Sequence, residues 1–271
     1  MTFRFKFGLF IVFVFFVLGF IFPLFNHTIS TDLSTYIPNL IPSGEHWLGT
    51  NAQGQDIFWL MCDSIHNSLI IGVLVALCAT VIGVIVGLIA GFVGGWVDRV
   101  LTLFIDTTIV IPSLPILILM GSLLKGRASI YMISLVLIIF NWPWPARQIR
   151  SIALTMRERE FINTAKFSGE GLWKIITLEI VPYVLSWSMS NFINTVLVAI
   201  GAESGLAILG LSSSTTATLG NMIFWARQYQ AIMMGKWIWI GAPVVSTVLL
   251  FIGLFCTLTG YNQYTSIKRG R

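Results

Sequence analysis

Charge is scarce in this sequence. Asp, Glu, Lys and Arg together make up 10% of its 271 residues, whereas soluble domains carry roughly a quarter. That is too little polar side chain to cover a water-exposed globule of this size, so the solvent for most of the surface is lipid. Cysteine is also sparse: Cys62, Cys78 and Cys256 show no CxxC spacing, which argues against a thiol metal site and reads as small core residues. The three histidines, His27, His46 and His66, are too scattered to argue a metal site. Walker A, GxSxG and HExxH motifs are absent, and no His/Asp/Glu cluster has catalytic spacing. No catalytic residue, metal site or bound cofactor is therefore assigned. The formal charge of +5 does not form a basic stripe with interleaved aromatics, so no nucleic-acid partner is expected.

What the sequence does have is long apolar blocks: 56% of residues are hydrophobic and the mean hydropathy is +0.87. A spanning helix needs about 20 largely apolar residues, and six segments qualify: 7–25, 69–92, 100–124, 130–144, 184–211 and 237–261. The fourth is short and ends in Asn141-Trp142-Pro143-Trp144-Pro145, residues that suit an interfacial helix end. The first follows Arg4 and Lys6 like a secretory signal, but its apolar stretch is long and no small-x-small cleavage site follows, so an uncleaved anchor is expected. The expected class is an all-α, polytopic membrane protein with six transmembrane helices. It divides into an anchor helix with outer loop (1–66) and a transmembrane core (67–271).

With the N-terminus inside, twelve of the sixteen Lys and Arg residues fall on the cytoplasmic side, and only Lys125, Arg127, Arg227 and Lys236 fall outside. This positive-inside bias places both termini in the cytoplasm of a cell (inner) membrane protein. Two sizeable loops, 26–67 and 212–236, then lie outside, and the loop 147–182 lies inside.

The inner loop is dense in charge of both signs, which suits a docking surface for a soluble partner. Glu158 and Glu160 would sit in the first turn of a helix, where carboxylates meet partial positive charge. Phe161, Thr164, Ala165 and Ser168 then share one face at i, i+3, i+4 and i+7 spacing. Gly169 can end that helix in a left-handed conformation, a second helix is expected over 172–181, and Pro182 marks the start of the next span. An ordinary amphipathic interfacial helix fits the same spacing.

The run Glu160-Phe161-x-x-x-Ala165-x-x-x-Gly169 followed by Ile180-Val181-Pro182 resembles the EAA loop of binding-protein-dependent ABC importer permeases. The usual Glu-Ala-Ala triplet is Asn163-Thr164-Ala165 here. The resemblance extends to His46-Trp-Leu-Gly49-Thr50-Asn51-Ala-Gln-Gly54-Gln55-Asp56, similar to an HxxGTDxxGRD signature with Asn51 and Gln55 in place of the usual acid and base. It continues through Gly87-Leu-Ile-Ala-Gly91-Phe-Val-Gly94-Gly95-Trp96-Val-Asp98, similar to a GxxAGxxGGWxD stretch. Asp106 with Ile111-Pro112-Ser113, Ala202-Glu203-Ser204 with Leu209-Gly210-Leu211, and Gly220-Asn221-Met222 complete the pattern of the dipeptide/oligopeptide/nickel-type permeases, C-subunit kind.

The resemblance implies a type I ABC importer permease fold and a coupling helix that fits a cleft on an ATPase subunit. Glu160, Phe161, Thr164, Ala165, Gly169 and Pro182 would carry that contact. It also implies partners: a second homologous permease, two cytoplasmic ABC ATPases that use ATP and Mg, and an extracytoplasmic substrate-binding protein. The substrates it implies are peptides first and oligosaccharides second, with nickel also within the subfamily.

Further landmarks come from the residues themselves. Asp106 and Glu203 lie inside hydrophobic segments, where a carboxylate is costly unless paired or facing water. With Asn191 and Asn194, which join Ser186, Ser188 and Ser190 in a polar stripe, they are candidates for the translocation path. The glycines at 83, 87, 91, 94 and 95 form a small-residue ridge that lets backbones approach closely, within this subunit or against a partner permease. Pro112 and Pro115 should kink the third span. The alternative is a self-sufficient, ion-coupled secondary transporter driven through Asp106 and Glu203; the absence of an internal repeat argues against it.

Overall fold

A computed structural model describes residues 3–25, 30–124, 129–211 and 216–269, leaving the side chains at 124, 161, 163, 165, 166, 172, 173 and 266–269 outside the described set. His27, Lys125, Arg127 and Arg271 from the sequence reading therefore lie outside it as well. Among the described residues the chain is helical, with one isolated antiparallel bridge, Thr50 to Asp56, and no strand.

The helices in chain order are α1 (Phe3–Phe16), α2 (Ile57–Val93), α3 (Gly95–Val110), α4 (Ser113–Leu124), α5 (Ile130–Asn141) and α6 (Pro143–Arg157). They continue with α7 (Glu160–Phe167), α8 (Leu172–Ile175), α9 (Val181–Ile208), α10 (Leu219–Gln228) and α11 (Trp237–Arg269). Among the described residues, four segments are long and apolar enough to cross a membrane: Phe3–Phe25, Ile57–Val93, Ile176–Ile208 and Trp237–Thr265. Counting α3 with α4 as one broken span gives a fifth. The expected fourth span is α5, whose 12 residues reach only about 18 Å at 1.5 Å per residue. The chain stays helical at Trp142 (φ −73°, ψ −28°) and restarts at Pro143 as α6, because proline at a first helical position loses no needed donor.

The third span breaks where the prolines predict. Ile111 is extended (φ −67°, ψ 120°), since a residue before proline is pushed out of the α region. The second inner helix and the fifth span, expected to be separate, run together through a wide turn over Ile176–Ile180. In that turn the Val181 N–H reaches the Ile176 carbonyl. A regular α-helix would drive the Pro182 ring into the carbonyl four residues back, and the wider turn relieves that clash.

The chain forms two compact units. One comprises Met1–Val73, Leu114–Ser134 and Val196–Arg271. In it α1 lies along α11 at close range, for a Cβ added at Gly8 would stand 2.5 Å from the Thr257 nitrogen and one at Gly260 would stand 2.6 Å from the Phe5 Cα. The segment before α2 is clasped by its own signature. Thr50 Oγ1 donates to the Ile37 carbonyl at 2.7 Å and accepts from Leu40 N–H at 2.9 Å. Asp56 caps α2, Oδ1 accepting from the N–H groups of Phe58 (2.8 Å) and Trp59 (3.2 Å). Its Oδ2 pairs with His46 Nδ1 at 2.7 Å.

The other unit comprises Leu74–Ser113 and Leu135–Thr195. Its core is a cluster of Leu88, Phe92, Ile149, Ala153, Ile162, Ile175, Ile176, Ile180 and Val184. That cluster draws one residue or more from each of α2, α6, α7, α8 and α9, and it sets the position of the inner loop.

Candidate coupling surface

The inner loop starts where α6 ends at Arg157, and a tight turn closed by Arg159 N–H to the Met156 carbonyl (3.0 Å) leads into α7. Among the described side chains of α7, Ile162 holds the helix. Ile162 is fully buried in the apolar cluster, and its burial is worth about 1.5–3 kcal/mol. The rest of the described face is open: Glu160, Thr164, Phe167 and Ser168 are all exposed. Phe167, five positions from Ile162 and so roughly 140° around the helix, is 91% exposed.

The helix ends as its sequence implies. Thr164 Oγ1 donates to the Glu160 carbonyl at 3.0 Å, and the Ser168 N–H and Oγ both reach the Thr164 carbonyl, at 2.9 and 3.0 Å. Gly169 then takes φ +79°, and a Cβ there would meet nothing described within 4 Å. Glu170 and Lys174 pair at 2.7 Å along α8. Pro182, exposed, is the second residue of α9. The side chains of Phe161 and Ala165 lie outside the described set. Beside the start of α7, Met156, Glu158, Arg159, Glu160 and Tyr183 line a recess of about 580 Å³.

Helix α6, which feeds this surface, is fixed on two sides. Gly83, Gly87 and Gly91 of α2 face it so closely that added Cβ atoms would stand 2.6 Å from Pro145 Cγ, 2.5 Å from the Ala146 carbonyl oxygen and 2.7 Å from Ala153 Cβ. That part of the glycine ridge is thus consumed by packing inside this chain. On the α3 side, Asp98 takes two hydrogen bonds from Arg150, Nε to Oδ1 at 2.5 Å and Nη2 to Oδ2 at 2.8 Å. Those bonds hold the Arg150 guanidinium's pKa above its ordinary value. Thr102 Oγ1 adds a third donor to Asp98 at 3.1 Å. Sequence reasoning counted Arg150 only as a cytoplasmic charge and Asp98 only as the end of a motif; their pairing across 52 residues had no signal in spacing.

The path candidates fall in different surroundings. Asp106 is about half exposed and lies 3.8 Å from Arg147 of α6. Asn191 is buried and donates to Thr80 Oγ1 at 3.1 Å, whereas Asn194 is exposed. Ser188 is buried and donates to the Val184 carbonyl at 2.9 Å. Glu203 is fully buried and accepts from Thr218 Oγ1 at 2.8 Å. Thr218 is also the cap of α10, accepting from Asn221 N–H at 3.2 Å, so the carboxylate ties α9 to a short helix that the sequence reading left within the second outer loop.

Residues 83–264 match the family model described as "Binding-protein-dependent transport system inner membrane component". Among curated proteins, the "Oligopeptide transport system permease protein OppC" of Mycobacterium tuberculosis is 34% identical over 220 residues, covering 81% of this chain and 74% of that protein. The protein of the same name from Lactococcus lactis is 29% identical over 211 residues, covering 78% of this chain and 71% of that one. Among solved structures, a chain of the MetNI methionine ABC transporter in an inward-facing conformation aligns with a TM-score of 0.58 at 15% identity, covering 76% of this chain and 96% of that chain. This likeness shows the ABC importer permease fold. With the family match spanning both α7 and the cluster that holds it, the chain belongs to the binding-protein-dependent transport system inner membrane components, as a multi-pass permease subunit of an ABC importer.

Proposed function

We propose that this chain is one of two homologous permeases of a peptide importer in the cytoplasmic membrane, with both termini inside. Two cytoplasmic ATPases drive it with ATP and Mg, and an extracytoplasmic binding protein delivers substrate. Peptides rank ahead of oligosaccharides because the relatives it resembles carry oligopeptide transport in their names.

The observation that carries the reading is the mounting of α7: Ile162 anchors it in the apolar cluster while Glu160, Thr164, Phe167 and Ser168 stand free. A short helix fixed on one side and open on the other suits a groove on a partner protein. The docking set is Glu160, Phe161, Thr164, Ala165, Gly169 and Pro182, to which the exposed ring of Phe167 is added. Closure of the ATPases on ATP would displace α7, and α6 would pass that displacement to α2 and α3 through the glycine contacts and the Asp98–Arg150 pair. Asp106, Asn191, Asn194 and Glu203 are proposed for the path, with Glu203 also bracing α10. The division into an anchor and outer loop (1–66) and a permease core (67–271) follows the same scheme.

The test is uptake of a labelled peptide by proteoliposomes containing the tagged chain with its co-purifying subunits. ATP enclosed with the coupling surface should drive uptake that a protonophore leaves unchanged. Uptake without ATP that the protonophore abolishes would refute the reading.

A further inference from the structure

One cavity lies apart from the coupling surface. It holds about 360 Å³ and is bounded by the outer-loop signature, the start of α2, α10 and the start of α11. Leu33, which is exposed, is among its lining residues, and its walls include Leu60, Met222, Trp225 and Trp239. That volume is about a dozen water molecules at roughly 30 Å³ each, enough for a short piece of a flexible ligand.

Its chemistry is defined by two features. First, among the described lining residues none is ionisable. The carboxamides of Asn51 and Gln55 are engaged with each other and with neighbouring backbone: Asn51 Oδ1 accepts from the N–H groups of Gln53 (2.9 Å) and Gln55 (3.0 Å), and Gln55 Nε2 donates to the Thr31 carbonyl (2.9 Å). A charged peptide terminus or a metal would find no counter-charge there. Second, Trp239 is 1% exposed, and among the described residues its indole Nε1–H has no hydrogen-bond partner. A buried N–H without an acceptor is destabilising, and a ligand oxygen would satisfy it.

We propose that this cavity binds an uncharged interior segment of a peptide, with a main-chain carbonyl oxygen accepting the Trp239 indole N–H and an apolar side chain between Trp225, Leu60 and Met222. The assignment rests on the peptide-importer reading for its ligand class. It adds that the chain itself contacts substrate near the outer end of α2 and α11, and that it selects for the middle of the peptide and not for its ends.

The test uses the full chain, purified with whatever subunits accompany it, and tritiated N-acetyl-trialanine amide, whose blocked ends carry no charge. Saturable binding should weaken about tenfold in Trp239→Phe, which keeps the wall and loses the donor. Binding should vanish in Leu33→Trp, which sets a larger side chain into the lining. Leu33 separates this cavity from a neighbouring one of about 240 Å³ that also touches Trp239 but not Leu33. Equal affinity in wild type and both variants, no binding to wild type, or displacement of the peptide by maltose would overturn the assignment. ATP-driven uptake by the same preparation separates the two readings. Uptake with no binding in this cavity overturns the cavity assignment alone, and cavity binding without ATP-driven uptake overturns the importer reading alone.

Discussion

Asn51 Nδ2 donates a 2.8 Å hydrogen bond to Gln55 Oε1, both side chains being buried. These are the two positions where the outer-loop signature departs from its usual acid and base, and they face each other. A neutral amide pair makes the contact without the desolvation cost that a buried ion pair carries.

Asn51→Asp should therefore be destabilising by about 2–4 kcal/mol, since it sets a buried carboxylate against the Gln55 carbonyl oxygen and loses the donor. Gln55→Arg added to it should recover at least about 1 kcal/mol by supplying the missing cation. A double-mutant cycle on thermal unfolding in detergent checks this, and strictly additive losses would show that the two side chains do not interact.

The Gly87 contact yields a second prediction. A Cβ there would lie 2.5 Å from the Ala146 carbonyl oxygen and 2.8 Å from Ile149 Cβ, so Gly87→Ala must push α6 away and should cost about 1–3 kcal/mol. Gly205 of α9 meets nothing described within 4 Å, and Gly205→Ala should be neutral or stabilising by about 0.5–1 kcal/mol. The ranking of the two melting temperatures is the measurement.

Arg150→Lys should not substitute for Arg150. The Asp98 carboxylate receives a two-pronged contact that only a planar guanidinium can make. Both Arg150→Lys and Arg150→Ala should lower stability, by about 1 and about 2–3 kcal/mol respectively. ATPase activity should also become less sensitive to added substrate and binding protein, because α6 loses its two-pronged tie to α3. Equal stability of Arg150→Lys and wild type would argue against the bidentate contact.

Much of this architecture was legible because membranes demand simple signals. The apolar blocks located the long spans, Pro112 located the break in the third, and Gly169 located the end of α7, since each acts through the local backbone. Contacts between distant segments were not legible. The sequence offered Gly83, Gly87 and Gly91 as a ridge without saying that α6 fills it, and nothing in the spacing joined Asp98 to Arg150. Within the coupling loop, 3.6-residue periodicity picked out the Phe161, Thr164, Ala165 and Ser168 face, but it could not show that Ile162 would be buried and Phe167 left bare. That depends on Leu88, Phe92 and Ile149, which arrive from α2 and α6. Helix α10 escaped because its 10 residues are too few to register as a span.

The most direct test of the account is a pull-down from mild detergent with the tag on this chain, comparing wild type, Phe167→Asp and Glu45→Lys. Phe167 and Glu45 are both exposed, so neither change should alter stability by more than about 0.5 kcal/mol. ATPase subunits should co-purify with wild type and with Glu45→Lys, and be lost or reduced at least about tenfold with Phe167→Asp. ATPase subunits retained in full by Phe167→Asp would contradict the placement of the coupling surface on the open face of α7.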